Sequence, residues 1–156
     1  MPENIFKQIS SDILKLHQQT AHLFIAMQSG KQPVIEKTEY VTFDGKYYML
    51  TPQNLPEQQA IVLIEAEQEQ TRLSWITTNK ILSRQDNRYN NVVHSLQRRI
   101  KQTKKNLQQS VDMHLLELTP QLGRLMLETE RDFTLSPSDL VKALYPADNQ
   151  IKHLAG

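Results

Sequence analysis

Val41-Thr42-Phe43-Asp44-Gly45-Lys46-Tyr47-Tyr48-Met49-Leu50-Thr51 is the stretch on which the fold turns. β-branched and aromatic residues flank Asp44-Gly45, and an Asp-Gly pair between such runs predicts a tight hairpin because both turn positions must accept positive φ. The β-rich run begins upstream at Val34, so the expected hairpin joins residues 34–43 to residues 46–51. Before it, residues 21–27 form a short apolar run that suits a buried strand and ends in the turn-like Gln28-Ser29-Gly30-Lys31. After it, residues 51–59 carry Pro52 and Pro56 and read as a loop or a single helical turn. Residues 60–65 read as another buried strand, residues 65–70 as a short helix, and the span from Leu73 to Leu82 as a further strand. Downstream, residues 113–119 and 124–129 surround Pro120-Gln121-Leu122-Gly123, which predicts a second strand-turn-strand unit.

Helical periodicity brackets these strands. Ile5, Phe6, Ile9, Ile13, Leu16 and His17 recur at helical spacing over residues 3–18, with Lys7, Ser11, Asp12 and Lys15 between them. A long helix is expected after residue 88, spanning about residues 90–109, with Val93, Leu96, Ile100, Thr103 and Leu107 on its core face. Ser136-Pro137-Ser138-Asp139 supplies an N-cap, a proline at the first helical position and an acid three residues after the cap, opening a short helix through Leu144 that Pro146 ends. The class is α+β, mainly β. Residues 1–145 read as one domain and residues 146–156 as a C-terminal tail of little periodicity, ordered only by a partner or ligand.

Composition narrows the function classes. A chain of 156 residues can bury roughly 70% of the surface its unfolded form exposes, enough for a real core. Eighteen Lys and Arg against seventeen Asp and Glu leave a formal charge of +1, so no global field draws the protein to nucleic acid or to an anionic membrane. There is no cysteine, which removes disulfides, thiolate nucleophiles and Cys-ligated metal sites and fits the cytoplasm. No run approaches the ~20 apolar residues of a spanning helix, and no basic segment followed by an apolar one opens the chain, so neither secretion nor a membrane partner is expected.

Motifs for chemistry are sparse. Gly-x-Ser-x-Gly, Walker-type and Gly-x-Gly-x-x-Gly patterns are all absent, and four glycines leave little material for a phosphate cradle. His17, His22 and His94 have no partners at zinc-binding spacing, and His114 alternates with Met113 and Leu115, so it points away from them and sits half exposed. Arg98-Arg99-Ile100-Lys101 with Lys104-Lys105 is the one local basic run. It lacks interleaved aromatics for base stacking and reads as a solvated helix face. Trp75 and Tyr47-Tyr48 suit either the lining of a flat pocket or core packing.

Asp112-Met113-His114-Leu115-Leu116-Glu117-Leu118-Thr119-Pro120, followed by Gly123-Arg124-Leu125, resembles a segment of the haem-utilisation proteins in the FMN-binding split-barrel superfamily, which also holds the pyridoxamine 5'-phosphate oxidase-related proteins. Residues 43–50 are similar to that family's second hairpin, and residues 61–65 to its following buried strand. The resemblance covers most of residues 20–130 and implies a split β-barrel that pairs into a homodimer. It implies haem as cofactor, held in a cleft between subunits, with His153 as the axial ligand of the iron and Asp112 as the acidic residue near it. The alternatives it implies are an FMN-binding oxidase-like protein and a cofactor-free dimer with a binding or regulatory role. Whether any reaction is catalysed stays open. The loop residues 51–57 offer a cofactor phosphate an acid, Glu57, and no cation.

Overall fold

The computed structural model describes residues 3–103, 113–128 and 131–146. Asp112 and His153 lie outside the described residues, as do residues 104–109 of the expected long helix and 147–156 of the expected tail. The elements in chain order are α1 (Glu3–Gln19), β1 (His22–Ser29), β2 (Gln32–Glu39), β3 (Val41–Phe43), β4 (Lys46–Thr51), β5 (Gln58–Ala66), a 3-10 turn (Glu67–Glu69), β6 (Thr71–Ile81), α2 (Tyr89–Thr103), β7 (His114–Leu127), β8 (Arg131–Leu135) and α3 (Pro137–Leu144).

The strands form one antiparallel sheet in the order β2-β1-β5-β6-β7-β4-β3, with β8 also on β7. β6 takes one edge of β7 along residues 116–127. The opposite edge is shared, β4 pairing with residues 114–118 and β8 with residues 123–127. That division splits the barrel wall.

The hairpin at Asp44-Gly45 forms as expected, with φ of 53° and 75°. β3 pairs Val41 with Tyr48 and Phe43 with Lys46 across it. The β-rich run from Val34 is divided at Tyr40, where β2 leaves to pair with β1. Gly45 is required twice over at its position. Its φ is positive, and a Cβ there would stand 2.7 Å from Cγ2 of Val141 on α3. The cap expected for α3 is present as a full capping box between Ser136 and Asp139.

The second strand-turn-strand unit does not form, and this corrects the sequence reading. β7 runs unbroken from His114 to Leu127, and residues 120–123 belong to it. Pro120 is tolerated because it lies between the β4-paired and β8-paired parts of β7, on a stretch where no strand takes that edge. The register beside it slips by one residue, Leu122 facing Ile76 and Pro120 facing Thr77, so Gln121 is bulged. Gly123 serves close packing: a Cβ at that position would lie 2.5 Å from the Trp75 ring.

Alternation along the strands separates two apolar clusters. Tyr47 and Met49 of β4 point into the barrel with Leu23, Ile25, Val62, Leu73, Trp75, Leu116 and Leu118, and α1 and α3 cover them with Ile13, Leu16 and Leu140. Tyr48 points outward and packs with Val41, Leu82 and Leu115 beneath Val92 and Leu96 of α2. Among the described residues no helix is long and apolar enough to cross a membrane.

Candidate functional site

The outer face of the sheet carries a row of apolar side chains in direct register. Ile35 on β2 faces Ala26 on β1, Ala26 faces Ile61 on β5, Ile61 faces Ile76 on β6, and Ile76 faces Leu122 on β7. Ile35, Ile61, Ile76 and Leu122 are 76%, 57%, 41% and 52% exposed. Ile61, Ile76 and Leu122 belong to strands whose alternate residues fill the barrel, and Ile35 follows Val34, which packs against the core, so strand pairing itself aligns them outside. Phe24, paired with Leu63, widens the row on one side. Exposed isoleucines scattered singly need no explanation, but a continuous row across five strands is a surface built for covering.

Further along the same outer face, Lys80 of β6 is opposite Glu117 of β7, and Glu117 is opposite Tyr48 of β4. Lys80 is four residues from Ile76, or roughly 13 Å along the strand. Glu117 is fully buried. Its Oε2 accepts from the Tyr48 hydroxyl at 2.8 Å and pairs with Nη1 of Arg88 at 3.0 Å. Lys46 and Lys80 approach its Oε1 at 3.6 and 3.8 Å, beyond hydrogen-bond length, and Oε1 has no hydrogen-bond donor. Burial, and then the bond to Glu117, push the Tyr48 hydroxyl well up from its ordinary value, so it stays a donor. Arg88 also grips Asp86 through two nitrogens, and this bond holds the Asp86 carboxyl down at about 2.

Inside the barrel a second polar chain is closed on itself. His17 Nδ1 lies 2.7 Å from the Ile13 carbonyl, which can only accept, so the proton resides on Nδ1. Nε2 then accepts from the Tyr47 hydroxyl at 2.7 Å, and that oxygen accepts from Trp75 Nε1–H at 3.0 Å. Burial drives His17 down to about 4, against the smaller opposing effect of the Ile13 bond. Trp75 and Tyr47 are therefore core residues and line no surface pocket.

The expected sites divide accordingly. His114 is half-buried at the start of β7, and no group of three His, Cys, Asp or Glu able to hold a metal occurs among the described residues. Arg99 of the basic run is a structural clamp: it donates to the Tyr40 carbonyl at 2.8 Å and stands over the Tyr40 ring. A cleft of about 500 Å³ beside the 3-10 turn is lined by Glu65, Glu67, Glu128 and Arg72, an acidic balance unsuited to an anionic cofactor. Sequence reasoning missed the Glu117 cluster. Its one local signal is a glutamate amid Leu115, Leu116 and Leu118, a charge in an otherwise apolar strand.

No family sequence model and no curated protein matches the chain. Among solved structures it is similar to the haem storage protein HutZ from Vibrio cholerae, with a TM-score of 0.60 and 19% identity over 74% of this chain and 92% of that one. It is similar to a haem-binding protein from Mycobacterium smegmatis, with a TM-score of 0.67 and 11% identity over 85% of this chain and 59% of that one. It is also similar to a pyridoxinephosphate oxidase-family protein from Clostridium acetobutylicum, with a TM-score of 0.61 and 12% identity over 90% of this chain and 99% of that one. Identities this low carry fold and not activity. What these likenesses show is the fold: the chain has the split-barrel fold of these solved structures.

Proposed function

We propose that this chain is a haem-binding protein of the haem iron utilisation type, acting in the cytoplasm as a homodimer of 1–145 domains whose shared cleft holds the cofactor. The observation that carries the reading is the apolar row from Ile35 to Leu122, exposed and in register across five strands. A second copy laid on this face would bury it by two-fold repetition, and a cleft walled by such rows suits the faces of a flat apolar macrocycle. The neighbours from Vibrio cholerae and Mycobacterium smegmatis, named for haem storage and haem binding, support the same cofactor. In this reading the tail brings His153 to the iron, where neutral imidazole is a suitable axial donor, and Asp112 stands near it.

Absorbance titration of the purified chain with hemin tests the proposal. A Soret band that saturates near one haem per subunit, and that shifts in His153→Ala, is the expected result. A His153→Ala variant with unchanged spectrum and affinity removes the ligand assignment. The oxidase-family neighbour favours FMN as the second reading, so FMN fluorescence is read on the same sample. Quenching of FMN without a Soret band establishes that alternative, and indifference to both leaves a cofactor-free dimer.

A further inference from the structure

We infer that Tyr47 is a one-electron donor inside the barrel, oxidised by way of Trp75 while its phenolic proton passes to His17. The three side chains form one hydrogen-bonded line. Trp75 Nε1–H donates to the Tyr47 oxygen at 3.0 Å, and the Tyr47 hydroxyl donates to His17 Nε2 at 2.7 Å. The other imidazole proton is on Nδ1, bonded to the Ile13 carbonyl 2.7 Å away, so it is the Nε2 lone pair that meets the phenol. The Tyr47 and His17 rings stack with centroids 5.6 Å apart. Tyr40 stands edge-on to both and offers no base, its hydroxyl being bonded to that of Thr20. Burial keeps the Tyr47 hydroxyl protonated, its pKa pushed well above the ordinary value, and a charge left on the phenol alone is costly there. Electron loss therefore goes with proton loss. The Oη–H bond breaks, an Nε2–H bond forms, and the electron leaves through the indole. The imidazolium so formed donates both its N–H groups, one to the Ile13 carbonyl and one to the Tyr47 oxygen, so the charge placed in the core is hydrogen-bonded on both sides.

Tyr48 marks the contrast. Its hydroxyl also meets a carboxylate, Glu117, at 2.8 Å, but for Glu117 to take the proton it would give up ion pairs with Arg88, Lys46 and Lys80. The chain's single tryptophan, moreover, is bonded to Tyr47. Trp75 gives the line its outer end. Its neighbours in β6, Ser74 and Ile76, face outward, and Ile76 belongs to the exposed row. A group docked on that row is one sheet thickness, about 10 Å, from the indole. Only the identity of the oxidant rests on the cofactor reading: it is a metal cofactor on this wall that has met an organic peroxide. The peroxide takes two electrons and two protons and becomes water and an alcohol. Tyr47 returns one of those electrons to the cofactor. Two thiols, joining as a disulfide, then supply the other and refill Tyr47, whose proton comes back from His17.

Flash photolysis of the full chain, with photogenerated tris(bipyridine)ruthenium(III) as the oxidant, tests the inference without any cofactor. A neutral tyrosyl radical, read by its near-ultraviolet band and its electron paramagnetic resonance, is expected in the wild type and in Tyr48→Phe, and is expected to be lost in Tyr47→Phe. His17→Gln still accepts the hydrogen bond but cannot hold the proton, and is expected to slow radical formation roughly a hundredfold. In deuterium oxide the wild type is expected to react more slowly, a reading that needs no variant to fold. A radical that survives in Tyr47→Phe, an unchanged rate in His17→Gln or the lack of an isotope effect overturns the inference. A purely structural line of hydrogen bonds would lower the stability of the variants and leave these rates alone. The hemin-loaded chain is then mixed with cumene hydroperoxide, and the same resonance, absent from Tyr47→Phe, identifies the oxidant. A photochemical Tyr47 radical in a chain that binds no hemin removes the cofactor reading and spares Tyr47. A Soret band with no Tyr47 radical under either oxidant removes the role of Tyr47 and spares the cofactor reading.

Discussion

At the scale of single residues, His17 sets the behaviour of the fold in acid. In the barrel its imidazole is neutral and held down at about 4, whereas in the unfolded chain it takes a proton near 6.5. Between those values the unfolded state binds the extra proton, so stability is complete above pH 6.5 and is lost as pH falls toward 4. The loss amounts to roughly 3 kcal/mol at about 1.4 kcal/mol per pH unit. Urea unfolding at pH 4.5 and pH 7 should show this decline in the wild type and a flatter dependence in His17→Gln. Parallel slopes would show that other groups govern the acid limb. His17 was legible as a member of the apolar stripe on α1, because helical spacing alone places it there. Its bonds to Ile13 and Tyr47 were not, since Tyr47 arrives from a strand thirty residues away.

At the scale of elements, β7 shows where local signals mislead. Proline and glycine three residues apart usually punctuate a chain, and Pro120 and Gly123 do so on paper. In the fold, Pro120 occupies the part of β7's edge that neither β4 nor β8 uses, and Gly123 makes room for an indole. Both facts depend on partners remote in sequence. β8 was unread for a related reason: Arg131-Asp132-Phe133-Thr134-Leu135 is short and charged, and its pairing with residues 123–127 holds it in place. By contrast, the Asp44-Gly45 hairpin and the Ser136 cap were read correctly because their causes lie within a few residues. Gly123→Ala should cost about 1–3 kcal/mol by overpacking against Trp75. Chemical denaturation followed by far-UV circular dichroism measures it, and an unchanged midpoint would mean that the ring moves aside freely.

At the scale of the whole molecule, one face of the sheet carries features that no single strand shows. In sequence, residues 21–27 and 60–65 read as buried apolar strands, whereas the structure leaves Ile61 exposed, and that Ile35, Ala26, Ile61, Ile76 and Leu122 fall on one line is a property of four strand registers. The Glu117 cluster is hidden in the same way, its members coming from β4, β6, the turn before α2 and β7. Ile61→Asp places a charge in the middle of the row without touching the barrel interior, since Ile61 is 57% exposed. Sedimentation equilibrium is expected to find a dimer in the wild type and a monomer in this variant, with the far-UV spectrum unchanged. A monomeric wild type at micromolar concentration would remove the shared cleft.

Trp75 is the chain's sole tryptophan, fully buried and hydrogen-bonded to Tyr47 at the middle of the barrel. All indole emission therefore originates from one known point. A dark chromophore settling on the outer wall would drain that emission by resonance transfer, to a degree set by its separation from the ring. The barrel thus holds a ruler for locating whatever docks against it, with no dye attached.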